Sequence, residues 1–392
     1  MKLPAAEWRR QPALAPLLDT LGAGDGDTRF VGGCVRDTLL GLAASDIDLA
    51  TRLTPDMVIA RLRAARIKAV PTGLPHGTVT AVIDGKPVEV TTLRRDVSTD
   101  GRRATVAFTT EWREDAARRD FTINALSADP LSGEVYDYFG GEDDLAARIV
   151  RFIGDPLTRI AEDHLRILRF FRFHARFGDG APNGAALDAC TARANDLMAL
   201  SRERIADELL KTLTLPDPTA TIALMIDRGI LAPVLPEIVE EGAVRLADLI
   251  AAERASRVSA DPVRRLAALL PRDPEVATDV GTRLRLSNKA VKRLASAADR
   301  TLDAPARLAY RIGAEEAVDR LLLAGESAAP LATWSRPRFP LSGGDLIALG
   351  LPPGPLVART LQQLERRWVD SDFAADEAAL RMQAQEIISE MT

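Results

Sequence analysis

Two aspartates, Asp46 and Asp48, stand one residue apart in the segment FVGGCVRDTLLGLAASDIDLAT, with a glycine pair, Gly32 and Gly33, shortly before them. On a strand, residues i and i+2 project from one face, and two carboxylates held that way repel each other unless a cation lies between them. Mg2+, bound by one or two carboxylates and by substrate phosphates, relieves that repulsion. The glycines follow a strand-like RFV and open a helical stretch, so bare N–H groups can approach an anion at the positive end of a helix. Arg36, one turn on, adds a guanidinium fork for phosphate oxygens. A Gly-Gly turn alone is more often structural, and a lone Asp-x-Asp is more often a solvated turn. Glu89 adds a third acid, set between Val88 and Val90 in KPVEVTTLR. Such an acid can simply face solvent. If its strand lies beside the aspartates, three carboxylates converge, a set suited to two divalent ions, one activating an attacking hydroxyl and one escorting a leaving phosphate.

A second concentration of charge spans Arg159–Arg176. On a helical wheel at ~100° per residue, Ile160, Ile167, Leu168, Phe171 and Ala175 fall on one side. Arg159, Glu162, Asp163, Arg166, Arg169, Arg172 and Arg176 crowd the other. A solvated helix face accounts for most such wheels. Here Phe170 and Phe173 lie among the arginines, where a solvent-facing stripe does not want phenyl rings. The arginines also outnumber the acids and mostly lack partners at i+4, so they read as spare guanidinium groups facing a phosphate-binding cleft. His164 falls on the apolar side and reads as a packed core histidine, and Cys34 as a small buried residue. In RRDFTINAL, Asp120 can cap the following helix or turn, and Arg119 can reach phosphate.

The surrounding chain must position these groups. Its 392 residues are too many for one core, so two to four domains are expected. No apolar run approaches the ~20 residues that span a bilayer, and Trp8, Arg9 and Arg10 interrupt the start where a signal peptide needs an apolar core; a cytosolic protein is expected. Two cysteines and three separated histidines argue against a disulfide framework and a zinc site. The net charge of −5 argues weakly against a nucleic-acid partner, although charges act locally, over a Debye length of ~8 Å, and LRRDVSTDGRR and the 151–176 stretch are rich in arginine. From Phe30 to about Tyr138 the pattern is mixed α/β. A helix is expected from about Val35 to Leu42, a strand at DIDLAT, a helix started by Thr54-Pro55, and a hairpin around Asp84-Gly85. Beyond about residue 142 only helical segments follow, among them LSRERIADELLKTL with Ser201 as its N-cap, punctuated by prolines.

The ordered set GGCVRDTLLG…SDIDLAT, EVTTLR, RRDFTINAL and EDHLRILRFFRF resembles the class II tRNA nucleotidyltransferases of the polymerase-β superfamily, which include CCA-adding enzymes and bacterial poly(A) polymerases. The motifs cover about Arg29 to Leu209, with a looser likeness near PLSGGDLIALGLPPGPLVARTLQQLERRW. The resemblance implies an α+β protein: an N-terminal polymerase-β-like head with a small mixed sheet (1–142), then all-α neck (143–215), body (216–300) and tail (301–392). It implies that Asp46 and Asp48 hold Mg2+, with Glu89 as the third catalytic carboxylate. Gly32, Gly33, Arg36 and Arg119 then surround the incoming phosphates and sugar, Asp163 and Arg166 read the base, and Arg169 and Arg172 help bind the nucleotide. The expected reaction adds C, C and A to the 3′ end of tRNA from CTP and ATP, the tail holding the acceptor arm, with no membrane partner. Poly(A) polymerase and A-adding or CC-adding partial enzymes are the relatives to exclude. The stretch between Glu89 and Arg118, read as a loop with Gly101 and paired arginines, favours full CCA addition, as does the lack of a GRRF run after the neck. A catalytically silent RNA-binding protein is disfavoured by the three acids.

Overall fold

The computed structural model describes residues 1–391 apart from 45 and 100–103. It divides into two units, Met1–Pro236 and Glu237–Thr392. Among the described residues no helix is long and apolar enough to cross a membrane.

The first unit is built on strands β1 (Thr28–Val31), β2 (Asp48–Thr51), β3 (Lys68–Gly73), β4 (Thr78–Ile83), β5 (Lys86–Thr92), β6 (Arg94–Thr99), β7 (Ala104–Phe108), β8 (Ser127–Ala128) and β9 (Val135–Tyr136). Seven of them form one sheet in the order β3-β4-β5-β2-β1-β8-β9, and β6 and β7 pair separately. Among the described strands only β2 and β5 run parallel, and their register sets Asp48 opposite Glu89. Alternation explains β5: Val88 and Val90 are buried while Glu89 is exposed. The β4–β5 turn has φ of 47° at Asp84 and 75° at Gly85, the two left-handed residues of a type I′ hairpin, as expected from Asp-Gly. Helices α1 (Leu14–Thr20), α2 (Gly33–Leu39) and α3 (Pro55–Ala64) accompany the sheet, α3 burying Val58 and Leu62.

Four expectations about the elements need correction. The helix after the glycines starts at Gly33 and ends at Leu39, earlier than the 35–42 expected from its apolar residues. Asp46 lies in a bend ahead of β2, because pairing with β5 begins only at Asp48. Strand alternation therefore does not orient it. The loop-like stretch after Glu89 is largely the β6–β7 hairpin; Gly101, Arg102 and Arg103 lie outside the described residues. Finally, the wheel drawn over 159–176 joins two helices.

Those helices belong to the set α4 (Trp112–Ala117), α5 (Gly141–Ala146), α6 (Pro156–Glu162), α7 (Arg166–Phe177), α8 (Gly184–Ala192), α9 (Arg202–Leu213) and α10 (Thr219–Asp227). Asp155 caps α6, accepting from Thr158 N at 2.8 Å. The chain then breaks at Asp163, which is extended (φ −155°, ψ 106°) and accepts from Leu165 N at 3.1 Å, so its side chain competes with the helical backbone. His164 consequently sits in the break, half-buried with Nδ1 3.6 Å from an Asp196 oxygen, and not in the apolar core. Phe170 and Phe173 of α7 are buried. Phe173 lies 5.3 Å from Phe121 between ring centroids, and Phe121 lies 4.9 Å from Phe152. Burial of such rings, at roughly 1.5–3 kcal/mol each, fastens α7 to the RRDFTINAL segment.

The second unit contains α11 (Glu240–Ser256), α12 (Pro262–Leu269), α13 (Pro274–Arg283), α14 (Asn288–Ala298), α15 (Pro305–Ile312), α16 (Ala314–Leu323), α17 (Gly343–Ala348), α18 (Pro355–Asp370) and α19 (Glu377–Met391). Proline opens four of them, where a missing N–H leaves no hydrogen bond unmade. A buried ion network joins Glu253 to Arg264 and Arg265, and Asp319 to Arg264 and Arg293. Trp368 packs with Leu346, Leu364 and Leu380 in a separate apolar cluster.

Candidate active site

The turn between β1 and α2 forms one wall of a cavity of about 480 Å³. Gly32 has φ 67° and ψ −125°, a conformation open to glycine and strained for other residues. A Cβ there would lie 3.1 Å from Nη1 of Arg119. The absent side chain thus lets the Arg119 guanidinium lie against the turn. Arg119 also donates to the Asn124 carbonyl at 3.3 Å and to Asp115 Oδ2 at 3.3 Å. Arg118 donates through Nε to Asp115 Oδ1 at 2.9 Å.

Asp115 is 3% exposed and further accepts from Arg94 N at 3.3 Å. Burial pushes its carboxyl up, but Arg119 and Arg118 outweigh that and hold it below the usual carboxylate range. Burial lowers the Arg118 guanidinium to about 10 despite Asp115. Sequence reading missed Asp115, although its i,i+3 and i,i+4 spacing to the two arginines was the available signal.

Arg36 also lines the cavity, but its donors are engaged. Nε reaches Asp37 Oδ1 at 2.7 Å and Nη1 reaches Asn124 Oδ1 at 2.5 Å, while the guanidinium lies 4.1 Å from the Phe177 ring centre. Burial draws its pKa down, against the raising effect of Asp37.

Asp48 faces the same cavity from the start of β2. Burial pushes its carboxyl up to about 6; Glu89 adds to that, Arg119 opposes it, and Asp46 raises it further. The repulsion of a partly dried Asp48 by Glu89 and Asp46 is what a cation relieves, and the donors are all oxygen, the preference of a hard divalent ion. The carboxylates therefore fit such an ion. Among the described residues no three acidic, histidine or cysteine groups already close on one point. Asp46 and Glu89 are exposed and stand outside the cavity wall formed by Asp48.

The opposite wall comes from the α6–α7 break. Asp163, Arg166 and Arg169 line the cavity with Phe173. Both Asp163 oxygens accept from Arg204 Nη2, at 3.1 and 2.8 Å. Arg166 donates to the Arg159 carbonyl at 3.0 Å and the Arg118 carbonyl at 3.2 Å, and pairs with Glu162. Arg169 pairs with Asp120 at 2.6 Å; burial lowers its pKa, but Asp120 and Glu208 more than reverse this. Arg172 pairs with Glu208 at 2.6 Å outside the cavity wall, its guanidinium 4.6 Å from the Phe173 ring centre. Asp120 accepts from Phe121 N at 2.9 Å and Asn124 Nδ2 at 3.0 Å; it braces the turn and anchors Arg169, while the expected cap is not made, since the 3-10 helix Thr122–Asn124 begins after Phe121 without a side-chain cap. The arginines are thus not spare. Arg159 and Arg166 pair with Glu162 within one turn, while Asp120, Glu208 and Asp37, the partners of Arg169, Arg172 and Arg176, lie far along the chain, where a one-helix wheel cannot register them. Arg204 and Glu208, missed as site residues, are i,i+4 neighbours on α9.

The mixed sheet, the glycine turn before α2 and the carboxylates across β2 and β5 define a nucleotidyltransferase head of the poly(A) polymerase kind. The family model described as the poly A polymerase head domain matches residues 28–151, and that described as a probable RNA and SrmB-binding site of polymerase A matches residues 185–241. The mitochondrial CCA tRNA nucleotidyltransferase 1 of Mus musculus is 35% identical over 416 residues, covering 99% of this chain and 92% of that protein. The CCA-adding enzyme of Limosilactobacillus fermentum is 32% identical, covering 99% and 100%. The crystal structure of Bacillus stearothermophilus CCA-adding enzyme in complex with CTP matches with a TM-score of 0.78 at 27% identity, over 97% of this chain and 99% of that one. The chain belongs to the CCA tRNA nucleotidyltransferase family.

Proposed function

We propose that this protein adds C, C and A in turn to the 3′ end of tRNA, without a nucleic-acid template. The terminal ribose hydroxyl oxygen attacks the α-phosphorus of CTP or ATP, the bond to the β-phosphate oxygen breaks, pyrophosphate leaves, and the hydroxyl proton passes to solvent. The observation that carries this reading is the pairing of Asp48 with Glu89 across parallel strands, beside a cavity walled by glycine backbone and arginines. Mg2+ ions, held by Asp46 and Asp48 with Glu89, would ease deprotonation of the hydroxyl and neutralise the leaving pyrophosphate.

The chain's own groups do the rest. Gly32 and Gly33 let the triphosphate approach the backbone, and Arg119 and Arg36 hold phosphate and sugar oxygens, Arg36 exchanging its bond to Asn124. Asp163 accepts from the exocyclic amino group shared by cytosine and adenine while Arg166 donates to a ring or carbonyl acceptor. Uracil and guanine offer a carbonyl where that amino group stands and leave the carboxylate unpaired. Arg169 and Arg172 complete the nucleotide's surroundings through their anchors Asp120 and Glu208. In the working division of head 1–142, neck 143–215, body 216–300 and tail 301–392, the tail holds the acceptor arm by phosphates and shape.

The test is incubation with tRNA ending before the CCA, with CTP and ATP given separately and together. Ordered incorporation of C, C and A is expected. Long A tracts from ATP alone would instead assign a poly(A) polymerase.

A further inference from the structure

The α6–α7 break is held by two groups from one later stretch of chain. Asp163 lines the cavity and is gripped by Arg204 of α9. His164, the next residue, stands outside the cavity wall. Its Nδ1 lies 3.6 Å from Oδ2 of Asp196, which belongs to the 3-10 helix Ala194–Ala199 shortly before α9.

Both atoms of that contact are buried, and neither makes a hydrogen bond. Arg193 Nε comes within 2.6 Å of the same Asp196 oxygen but out of line for a hydrogen bond, so it holds the carboxylate by charge. The Asp196 backbone N–H donates to the Arg193 carbonyl at 3.0 Å, and Leu197 beside it is buried, so the acid stands on an anchored element. A simple packed histidine accounts for the ring's burial. It does not account for a buried imidazole nitrogen and a buried carboxylate oxygen aimed at each other just beyond hydrogen-bond length, where unmade bonds are costly. A carboxylate opposite Nδ1 favours the imidazole that carries its proton there. A small shift of the break then closes an Nδ1–H to Oδ2 bond, and Asp163, the adjoining residue, moves with it.

That bond has a use when a base arrives. Both Asp163 oxygens are taken up by Arg204, so reading a base requires the carboxylate to turn while its backbone keeps its place. We infer that His164 and Asp196 form a positioning pair that anchors the backbone of this turn, so that Asp163 exchanges contacts with Arg204 for contacts with the base without being displaced. The pair touches no nucleotide and acts on selection only through Asp163; the inference rests on the proposed base-reading role of that residue.

The experiment measures kcat/KM for CTP and UTP on tRNA ending before the CCA, with the full chain as wild type, His164→Leu, His164→Asn, Asp196→Ala, the His164→Leu/Asp196→Ala double variant and Asp163→Ala. His164→Leu and Asp196→Ala are each expected to lower selection of CTP over UTP about 3- to 10-fold, the indirect effect of one lost hydrogen bond to a charged group. The double variant should lose no more than either single one, because both remove the same contact. His164→Asn, whose amide carries an N–H donor near the place of Nδ1, should recover most of the selection. A histidine that only fills space would slow both nucleotides in the same proportion, and an unchanged ratio in His164→Leu and Asp196→Ala overturns the pair, as do additive losses in the double variant. Melting curves report the fold; should His164→Leu not fold, Asp196→Ala and His164→Asn decide the matter, since the Asp196 side chain is partly exposed. If Asp163→Ala relaxes selection while His164→Leu and Asp196→Ala do not, the pair falls and the base-reading role stands. If Asp163→Ala leaves selection unchanged, the base-reading role falls and the pair with it.

Discussion

Burial and the facing Glu89 push the Asp48 carboxyl up to about 6 from its usual 3.8, which sets a sign for its effect on stability. A raised folded-state pKa means that the folded form holds the proton more tightly. The resulting stability is full below the unfolded pKa and is lost as pH rises through about 6. Without a divalent ion, the ionised Asp48 therefore strains the fold at neutral pH by about 1–2 kcal/mol, allowing for its partial exposure. Asp48→Asn should raise the melting temperature of the metal-free protein at pH 8 and leave it little changed at pH 4, while abolishing nucleotide incorporation. Mg2+ should stabilise wild type at pH 8 and not the variant. A variant that melts lower than wild type at pH 8 counts against this account. The proposed base-reading pair gives a different outcome. Asp163→Ala should relax selection of CTP and ATP over UTP and GTP. Arg204→Met, which removes only the clamp on Asp163, should relax it less, with partial recovery in Arg204→Lys. Discrimination ratios from kcat/KM decide this, and equal ratios in wild type and Asp163→Ala remove Asp163 from that role.

Among the elements, the glycine turn and the broken helix matter most. Gly32→Ala places a Cβ at positive φ and 3.1 Å from Arg119. The strain is about 1–3 kcal/mol, and because Arg119 must move, KM for both CTP and ATP should rise about tenfold, an effect of roughly 1.4 kcal/mol per decade. Steady-state kinetics with unchanged KM would remove Arg119 from the phosphate site. The turn was legible in the sequence because the Gly-Gly pair, weak by itself, is followed closely by Asp46 and Asp48, and β5 was legible from Val88-Glu89-Val90. The α6–α7 break was not, since a wheel reports spacing and not Asp163 turning its carboxylate onto the backbone of Leu165. Nor could strand pairing be read from Asp46, whose position ahead of β2 depends on where β5 begins to pair. The partners of Arg169, Arg172 and Arg176 escaped for a related reason: they are brought near by packing of Phe121, Phe152 and Phe170, which acts between segments.

At the scale of the whole molecule, each unit has its own interior. Phenyl rings fasten α7 to the segments of Phe121 and Phe152 in the first, and buried ion pairs join α11, α12, α14 and α16 in the second. Removing one member of a buried ion pair costs about 3–5 kcal/mol because its partner stays uncompensated. Arg293→Met, which leaves Asp319 with only Arg264, should therefore lower the calorimetric midpoint of the second unit while CTP affinity, measured well below that midpoint, stays unchanged. An unaltered midpoint would show the network to be dispensable. One more outcome follows from the parallel join of β2 and β5, whose residues are separated along the chain by α3, β3 and β4. Closing so long a stretch is entropically slow, and until β5 docks, Asp48 and Glu89 are ordinary solvated acids with nothing to oppose. Their repulsion arises only at that docking step, so refolding of the sheet should quicken in mild acid or with a divalent cation, and the capacity to transfer nucleotides arrives among the last properties the nascent head acquires.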